Sequence, residues 1–372
     1  MKKLLFIVNI PSPYRVDFFN ELGRKDGIAL TVVFLVRPDE NNGRERSWFR
    51  EEYQDFRAVF CKDPIRLPGG KKLYPKIREE LKKPWDEIIF GGYVYPTMLY
   101  AMRWLKRHRR PYSIEIDGGL LGPEKALRRK IKTLVISSAD KWYSSGPVSD
   151  KYLLHYGAGK ERILHYPFSS VKQEDCIDEA LLDPREKERL REQLGMEEQR
   201  ILISVGQFIH RKGFDLLLEA ARSLPKSLGI YIIGGEPPES YRKMAAEYKL
   251  TNVHFVSFMQ KQALLKYYRA ADLFVLPTRE DIWGLVINEA MACGLPVVTT
   301  DRCVAGMEMI EEGKNGFIVK ANDAAALQQG IAKALQANLL ELGRQSLKTA
   351  KRYTIEKMAE AHERFLKDDF SC

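Results

Sequence analysis

The run from Ala270 to Thr300, AADLFVLPTREDIWGLVINEAMACGLPVVTT, constrains the fold of this chain more than any other. It reads as a buried strand, a loop holding acids, a helix and a second buried strand. Two such strands joined through a helix lie parallel in one sheet, because a parallel pair needs a crossover and an antiparallel pair does not. Asp281 stands just before the helix and Glu289 lies inside it, so two carboxylates flank a helix N-terminus, which attracts anions. The combination suits a sugar nucleotide. The helix end and nearby cations hold a diphosphate, while the carboxylates accept hydrogen bonds from ribose and hexose hydroxyls.

The same alternation runs from end to end. In the first half LLFIVN, ALTVVFLV, EIIFGG, SIEID and KWYSS read as strands, ILHYPF as a weaker one, and helices are expected to start near Tyr14, Tyr95 and Pro123. RILISVGQ, GIYIIGG, VHFVSF, LFVLPT, PVVTT and GFIV repeat the pattern in the second half. This predicts an α/β chain of two doubly wound, Rossmann-like domains, and 372 residues suit two domains of roughly 100–200 residues each. The boundary falls within 169–200, where 172–191 is rich in charge, contains Pro184 and shows no strand. We expect domains at 1–170 and 171–352, with 353–372 forming a helix that packs back onto the first domain.

Charged residues at 30% and hydrophobic residues at 45% exclude a disordered chain. The apolar run LLFIVNI is far shorter than the roughly 20 residues a membrane span needs, lacks a small-residue cleavage site and ends at Pro11, so it reads as a first strand. Cys61, Cys176, Cys293, Cys303 and Cys372 are odd in number and lack paired spacing. A reduced, cytoplasmic protein without a metal cluster is expected. Residues 1–170 hold 32 Lys and Arg against 20 Asp and Glu, an excess of +12 over a whole-chain charge of +10. The basic clusters around Lys71–Pro84, Arg103–Arg110 and Ala126–Lys132 are either solvated helix faces or a contact for an anionic membrane surface. No nucleic-acid-reading module accompanies them, so nucleic acid is not an expected partner.

SVGQFIHRKGFDLLLEA, YIIGGEPPE, YRAADLFVLPT and DIWGLVINEAMACGLPVVTTD follow one another between Arg200 and Asp301. The series resembles the group 1 (GT4-type) glycosyltransferases, retaining enzymes of the GT-B fold; the resemblance is continuous but weaker through the first half. It implies two domains facing a central cleft, a nucleoside diphosphate sugar as donor substrate, and neither cofactor nor metal. By the same resemblance, Asp281 accepts hydrogen bonds from the donor sugar, where the family usually has Glu, with Glu280 as a substitute. The backbone of Ile282, Trp283, Gly284, Leu285 and Val286 faces the diphosphate and sugar, and Glu289 grips the ribose. The plainer alternatives are capping for Asp281, a solvent-facing position for Glu289, and packing for Trp283 and Leu285.

SVGQFIHRKG leaves a strand and enters a helix, so its loop opens onto the carboxyl end of a parallel sheet, where ligands bind. The family's Arg is replaced by Gln207, which leaves Lys212 as the principal cation on the departing diphosphate, with Arg211 as a second or as a surface charge. Gly235 belongs to a turn near the nucleotide and Met259 to a wall beside the base; a tight turn and core packing are the plainer alternatives. In the first half, Pro13, Tyr14 and Arg15 form a loop for acceptor or phosphate, Gly92 and Tyr93 a second, and Tyr95 could stack on a sugar. Asp117 stands where many family members carry His; it orients the acceptor hydroxyl, takes its proton or serves a turn.

The reading is a retaining glycosyltransferase that moves a hexosyl group from a nucleoside diphosphate sugar to a hydroxyl of a glycan or lipid-linked glycan, with Lys212, Asp117 and Asp281 as catalytic residues. Polysaccharide or lipopolysaccharide assembly in the cytoplasm, peripheral on the inner face of the plasma membrane, is the expected setting. The departures at Gln207, Asp281 and Asp117 keep open a catalytically weak or inactive sugar-nucleotide-binding protein. A nicotinamide oxidoreductase is disfavoured, because residues 9–20 contain no glycine for the dinucleotide turn.

Overall fold

A computed structural model describes residues 1–37 and 52–367; residues 368–372, which the sequence reading included in a last helix, and Cys372 among them, lie outside the described residues. The chain divides into two compact units, Met1–Ser170 with Thr354–Cys372, and Val171–Tyr353.

The sheet of the first unit is wholly parallel. Its strands are β1 (Lys2–Val8), β2 (Ile28–Phe34) and β3 (Arg57–Phe60), then, after a small antiparallel hairpin of β4 (Ile65–Arg66) and β5 (Lys72–Leu73), β6 (Glu87–Gly91), β7 (Ser113–Ile116), β8 (Lys141–Ser144) and β9 (Ile163–His165). They lie in the order β3-β2-β1-β6-β7-β8-β9. Leu4 to Val8 are all buried, as expected of a central parallel strand covered by helices on both faces. Two features differ from the expected pattern. β3 and the hairpin had no apolar run to announce them. The helix expected near Pro123 begins at Ala126, because Lys125 remains extended at φ −68°, ψ 141° while the Glu124 carboxylate is drawn to Tyr156 and Lys132.

The helix Ile355–Lys367 belongs to this unit and packs along the helix Pro13–Gly23. It buries Met358, His362, Phe365 and Leu366, each apolar side chain contributing about 1.5–3 kcal/mol. The His362 ring stacks on Tyr143 at 5.1 Å and lies 4.9 Å from Phe18.

The second unit has six parallel strands, β10 (Arg200–Val205), β11 (Leu228–Ile233), β12 (Val253–Val256), β13 (Leu273–Leu276), β14 (Val297–Thr300) and β15 (Gly316–Val319), in the order β12-β11-β10-β13-β14-β15. Helices enter with local signals: Asp183 caps the Pro184–Leu194 helix through Arg185 N at 2.9 Å, with Pro184 at its first position. Its core joins Leu202, Phe214, Leu218, Ile230, Val275 and Ile331. In both sheets the chain winds outward in opposite directions from a central pair, β1 and β6 in one, β10 and β13 in the other. Such reversals open a crevice at the carboxyl ends of the strands.

Candidate functional site

In the second unit, the loops after β10 and β13 meet at this reversal. Gly213 ends the short turn His210–Lys212 at φ 70°, and a Cβ there would lie 2.1 Å from the Pro277 carbonyl oxygen; glycine alone allows the loops to touch. The contact brings Lys212 Nζ to 2.5 Å from Asp281 Oδ2 and the Arg211 guanidinium to 3.1 Å from Oδ1. Asp281 is 8% exposed, and its backbone is fixed by bonds from its N–H to Arg302 O (2.8 Å) and from Val304 N–H to its own carbonyl (3.2 Å). Two cations thus face one carboxylate. The surplus positive charge stands where the chain enters the helix Leu285–Ala292, whose N-terminus also favours an anion. Glu280 points elsewhere, to Arg302 at 2.7 Å.

Gly284 precedes that helix at φ 102°, with Cys303 Sγ 2.7 Å from where a Cβ would be. The Trp283 side chain is buried and donates from Nε1 to Asn288 Oδ1 at 2.8 Å, so it packs the loop from behind. Ile282 is exposed, Leu285 and Val286 half-buried. Glu289 is half-buried and accepts a 3.1 Å bond from the hydroxyl of Tyr268, a residue that is itself 1% exposed. Gln207 is exposed on the loop after β10. Gly234, after β11, is pressed against the Gly206 carbonyl, 1.7 Å from a Cβ position, whereas Gly235 has open space at φ 114°. Met259 is half-buried beyond the end of β12.

In the first unit the residues at the reversal form a buried network. Arg15, in the first turn of the Pro13–Gly23 helix and 5% exposed, pairs with both Glu115 on β7 and Asp117 just beyond it. It is not a surface charge, being buried between two carboxylates. Glu115 also lies 2.7 Å from His362 Nε2, while Tyr166 donates to Asp117 Oδ1 at 3.2 Å. Burial opposes ionisation of Glu115, but Arg15 and His362 outweigh it and hold the carboxyl at about 2. Asp117 is raised instead, by burial and by the neighbouring Glu115 charge, against the pull of Arg15. The bonds to Asp117 from Arg15 and Tyr166 both end on Oδ1, and the side chain is 30% exposed. Tyr93 bonds its hydroxyl to Tyr152 and packs against the core; Tyr95 bonds to Asn9 at 2.8 Å. Tyr14 is half-buried, edge-on to Phe168 at 5.8 Å. Gly92 at φ 113° makes the turn after β6. Among the described residues no group of three His, Cys, Asp or Glu is placed to hold a metal ion.

Residues 186–368 match the family described as glycosyl transferases, group 1. The second half of the chain is a group 1 glycosyltransferase domain. The D-inositol 3-phosphate glycosyltransferase of Geodermatophilus obscurus is 29% identical over 239 residues, covering 59% of this chain and 51% of that protein. The lipopolysaccharide glucosyltransferase WaaG of Escherichia coli K12 is 30% identical over 165 residues, covering 43% and 44%. The chain therefore spans about half the length of the curated relatives it matches. A crystal structure of Anabaena HepE in complex with UDP superposes with a TM-score of 0.76 over 98% of this chain and 99% of that one, at 17% identity. The shared architecture is the GT-B fold of glycosyltransferases.

Within the group 1 domain, the residues singled out from sequence stand on loops at the carboxyl ends of β10, β11, β12 and β13, or on the helix that follows β13. Lys212, Arg211 and Asp281 are in direct contact. Tyr268, Arg302 and Cys303, which fix the acids and the turn, were not legible, because each is defined by a partner at least 19 residues away; Tyr268 and Glu289, for example, are 21 apart. Glu115 and His362 were missed for the same reason, being 247 residues apart.

Proposed function

We propose that the chain is a retaining glycosyltransferase that moves a hexosyl group from a nucleoside diphosphate sugar to a hydroxyl of a glycan or lipid-linked glycan. The observation that carries the reading is the Lys212–Asp281–Arg211 cluster at the reversal between β10 and β13. Its chemistry fits a diphosphate that arrives as a dianion and leaves with more negative charge. The incoming phosphates compete with Asp281 for Lys212 and Arg211, and the released carboxylate turns to the sugar hydroxyls. As the anomeric C–O bond to phosphate breaks, Lys212, Arg211 and the first turn at Leu285 stabilise the departing oxygens. The acceptor oxygen forms the new bond to the anomeric carbon and gives up its proton. Asp117, which takes the Arg15 and Tyr166 bonds on Oδ1 and whose proton affinity is raised, is the base. Glu289, steadied by Tyr268, holds the ribose diol.

The named relatives, which act as inositol phosphate and lipopolysaccharide glycosyltransferases, support a polar, hydroxyl-bearing acceptor, and HepE with UDP supports a nucleotide donor. The test is turnover of a panel of nucleotide sugars, followed as release of nucleoside diphosphate. Lys212→Ala is expected to lower kcat about 10²–10³-fold, the usual cost of removing one donor from a developing oxyanion, without a loss of secondary structure. Wild-type turnover in that variant would remove Lys212 from the mechanism.

A further inference from the structure

His362 is fully buried on the last helix, Ile355–Lys367, and the proposed reaction makes no use of it. Both of its ring nitrogens face acceptors. Nδ1 lies 2.8 Å from the Met358 carbonyl oxygen, one turn back on the same helix, and Nε2 lies 2.7 Å from Glu115 Oε2 on β7. A carbonyl oxygen can only accept, so Nδ1 carries a proton. Glu115, its carboxyl held at about 2, is ionised at neutral pH and accepts as well, so Nε2 carries the second proton. The ring is therefore an imidazolium. Phe18, Tyr143 and Tyr166 enclose it, with ring centroids at 4.9, 5.1 and 5.0 Å, and this packing fixes its orientation.

The charge on this ring reaches Asp117 through two intermediaries. Alternation along the strand puts Glu115 and Asp117 on one face of the sheet, and Arg15 spans them, with Nη1 on Glu115 Oε1 and Nη2 on Asp117 Oδ1. Each Glu115 oxygen thus has its own cation. Two cations then face two carboxylates, and the cluster is neutral once Asp117 is ionised. Without the imidazolium the same ionisation would leave net negative charge among Arg15, Glu115 and His362 side chains at most 6% exposed, a costly state away from water. Tyr14, Tyr143 and Tyr166 are the other titratable groups against the cluster among the described residues; burial pushes the Tyr143 and Tyr166 phenols up, so both stay uncharged. We propose that His362 is a positioning residue for Asp117: from the last helix it holds one oxygen of Glu115 with a full positive charge, which leaves Arg15 to bridge Glu115 and Asp117 and to steady the Asp117 carboxylate. The link to turnover rests on Asp117 being the base, whereas the link between His362 and Asp117 does not.

His362→Gln tests it, because the amide N–H replaces Nε2 as donor to Glu115 and only the charge is removed. Loss of a cation makes a neighbouring acid harder to ionise. The Asp117 carboxyl, followed by carbon NMR of the full chain with labelled aspartate and assigned through Asp117→Asn, should therefore titrate at higher pH in His362→Gln than in the wild type. The rising limb of kcat/KM against pH should move with it, measured with whichever of UDP-, GDP-, ADP- and dTDP-glucose is turned over fastest. On that limb His362→Gln should be about three- to tenfold less active than the wild type, with a smaller change on the plateau; lost packing alone would lower the whole profile evenly. Nitrogen NMR of the wild type, which needs no variant to fold, should show both His362 ring nitrogens protonated at neutral pH. A single protonated nitrogen, or an Asp117 titration that His362→Gln leaves in place, overturns the proposal. A carboxyl that moves while the rate profile stays put upholds the coupling and removes Asp117 as the base.

Discussion

At the scale of single residues, the account turns on carboxylates whose partners differ. Asp281 is shared by Lys212 and Arg211, whereas Glu289 is held by the hydroxyl of a buried tyrosine. Tyr268→Phe removes one hydrogen bond to a charged group, worth about 1.5–3 kcal/mol, and leaves the ring in place. We expect the donor KM to rise about tenfold with kcat little changed, read from steady-state kinetics; an unchanged KM would detach Glu289 from ribose binding. Glu115 makes a second prediction. Its folded carboxyl is held at about 2 by Arg15 and His362 against burial, below its ordinary value near 4.3. A depressed carboxyl adds stability above its unfolded value, and that stability is lost as pH falls through the folded one. The wild type should therefore lose melting temperature more steeply between about pH 4 and pH 2 than Glu115→Gln, which should itself be less stable at neutral pH by about 3–5 kcal/mol, the cost of breaking a buried ion pair. The raised Asp117 acts with the opposite sign, losing stability as pH rises through its ionisation, and because the Glu115 charge contributes to that shift, Glu115→Gln diminishes this opposing effect as well.

At the scale of elements, glycine sets how closely the loops approach. Gly213 at φ 70° lets the turn after β10 rest on the Pro277 carbonyl, and the Lys212–Asp281 contact depends on that approach. Gly213→Ala should lower stability by about 1–3 kcal/mol from backbone strain and weaken nucleotide binding as well, measured by thermal unfolding with and without ligand. How much of the fold is legible in the sequence follows from the same physics. β1, β10 and β13 are continuous apolar runs because both faces of each are covered, and their loops are marked by Gly and Pro. β3 is Arg57–Phe60, a four-residue edge strand only partly buried, and leaves no such run. The lettering of Ala126–Ile136 shows an amphipathic helix but not which side faces in, since Lys132 finds its partners at Tyr152, Tyr156 and Glu124 through the fold. Arg15 read as readily as a surface charge, for Glu115 lies 100 residues on.

At the scale of the whole molecule, two sheets of the same design carry different chemistry at their central reversals. The first holds a closed network of Arg15, Glu115, Asp117, Tyr166 and His362, tied to the last helix of the chain. The second holds cations in excess beside a helix N-terminus, which is the arrangement an anionic ligand requires. The group 1 match, residues 186–368, contains the whole of the second sheet. The most direct measurement of this claim is calorimetric titration of UDP, GDP, ADP and dTDP into the wild type and into Lys212→Ala. The account predicts that at least one diphosphate binds the wild type with an affinity that falls as salt rises, and that Lys212→Ala binds it at least about tenfold more weakly, the loss of roughly one charge-assisted hydrogen bond. Equal affinity of the two proteins for that nucleotide, or no binding of any of the four to the folded wild type, would contradict it.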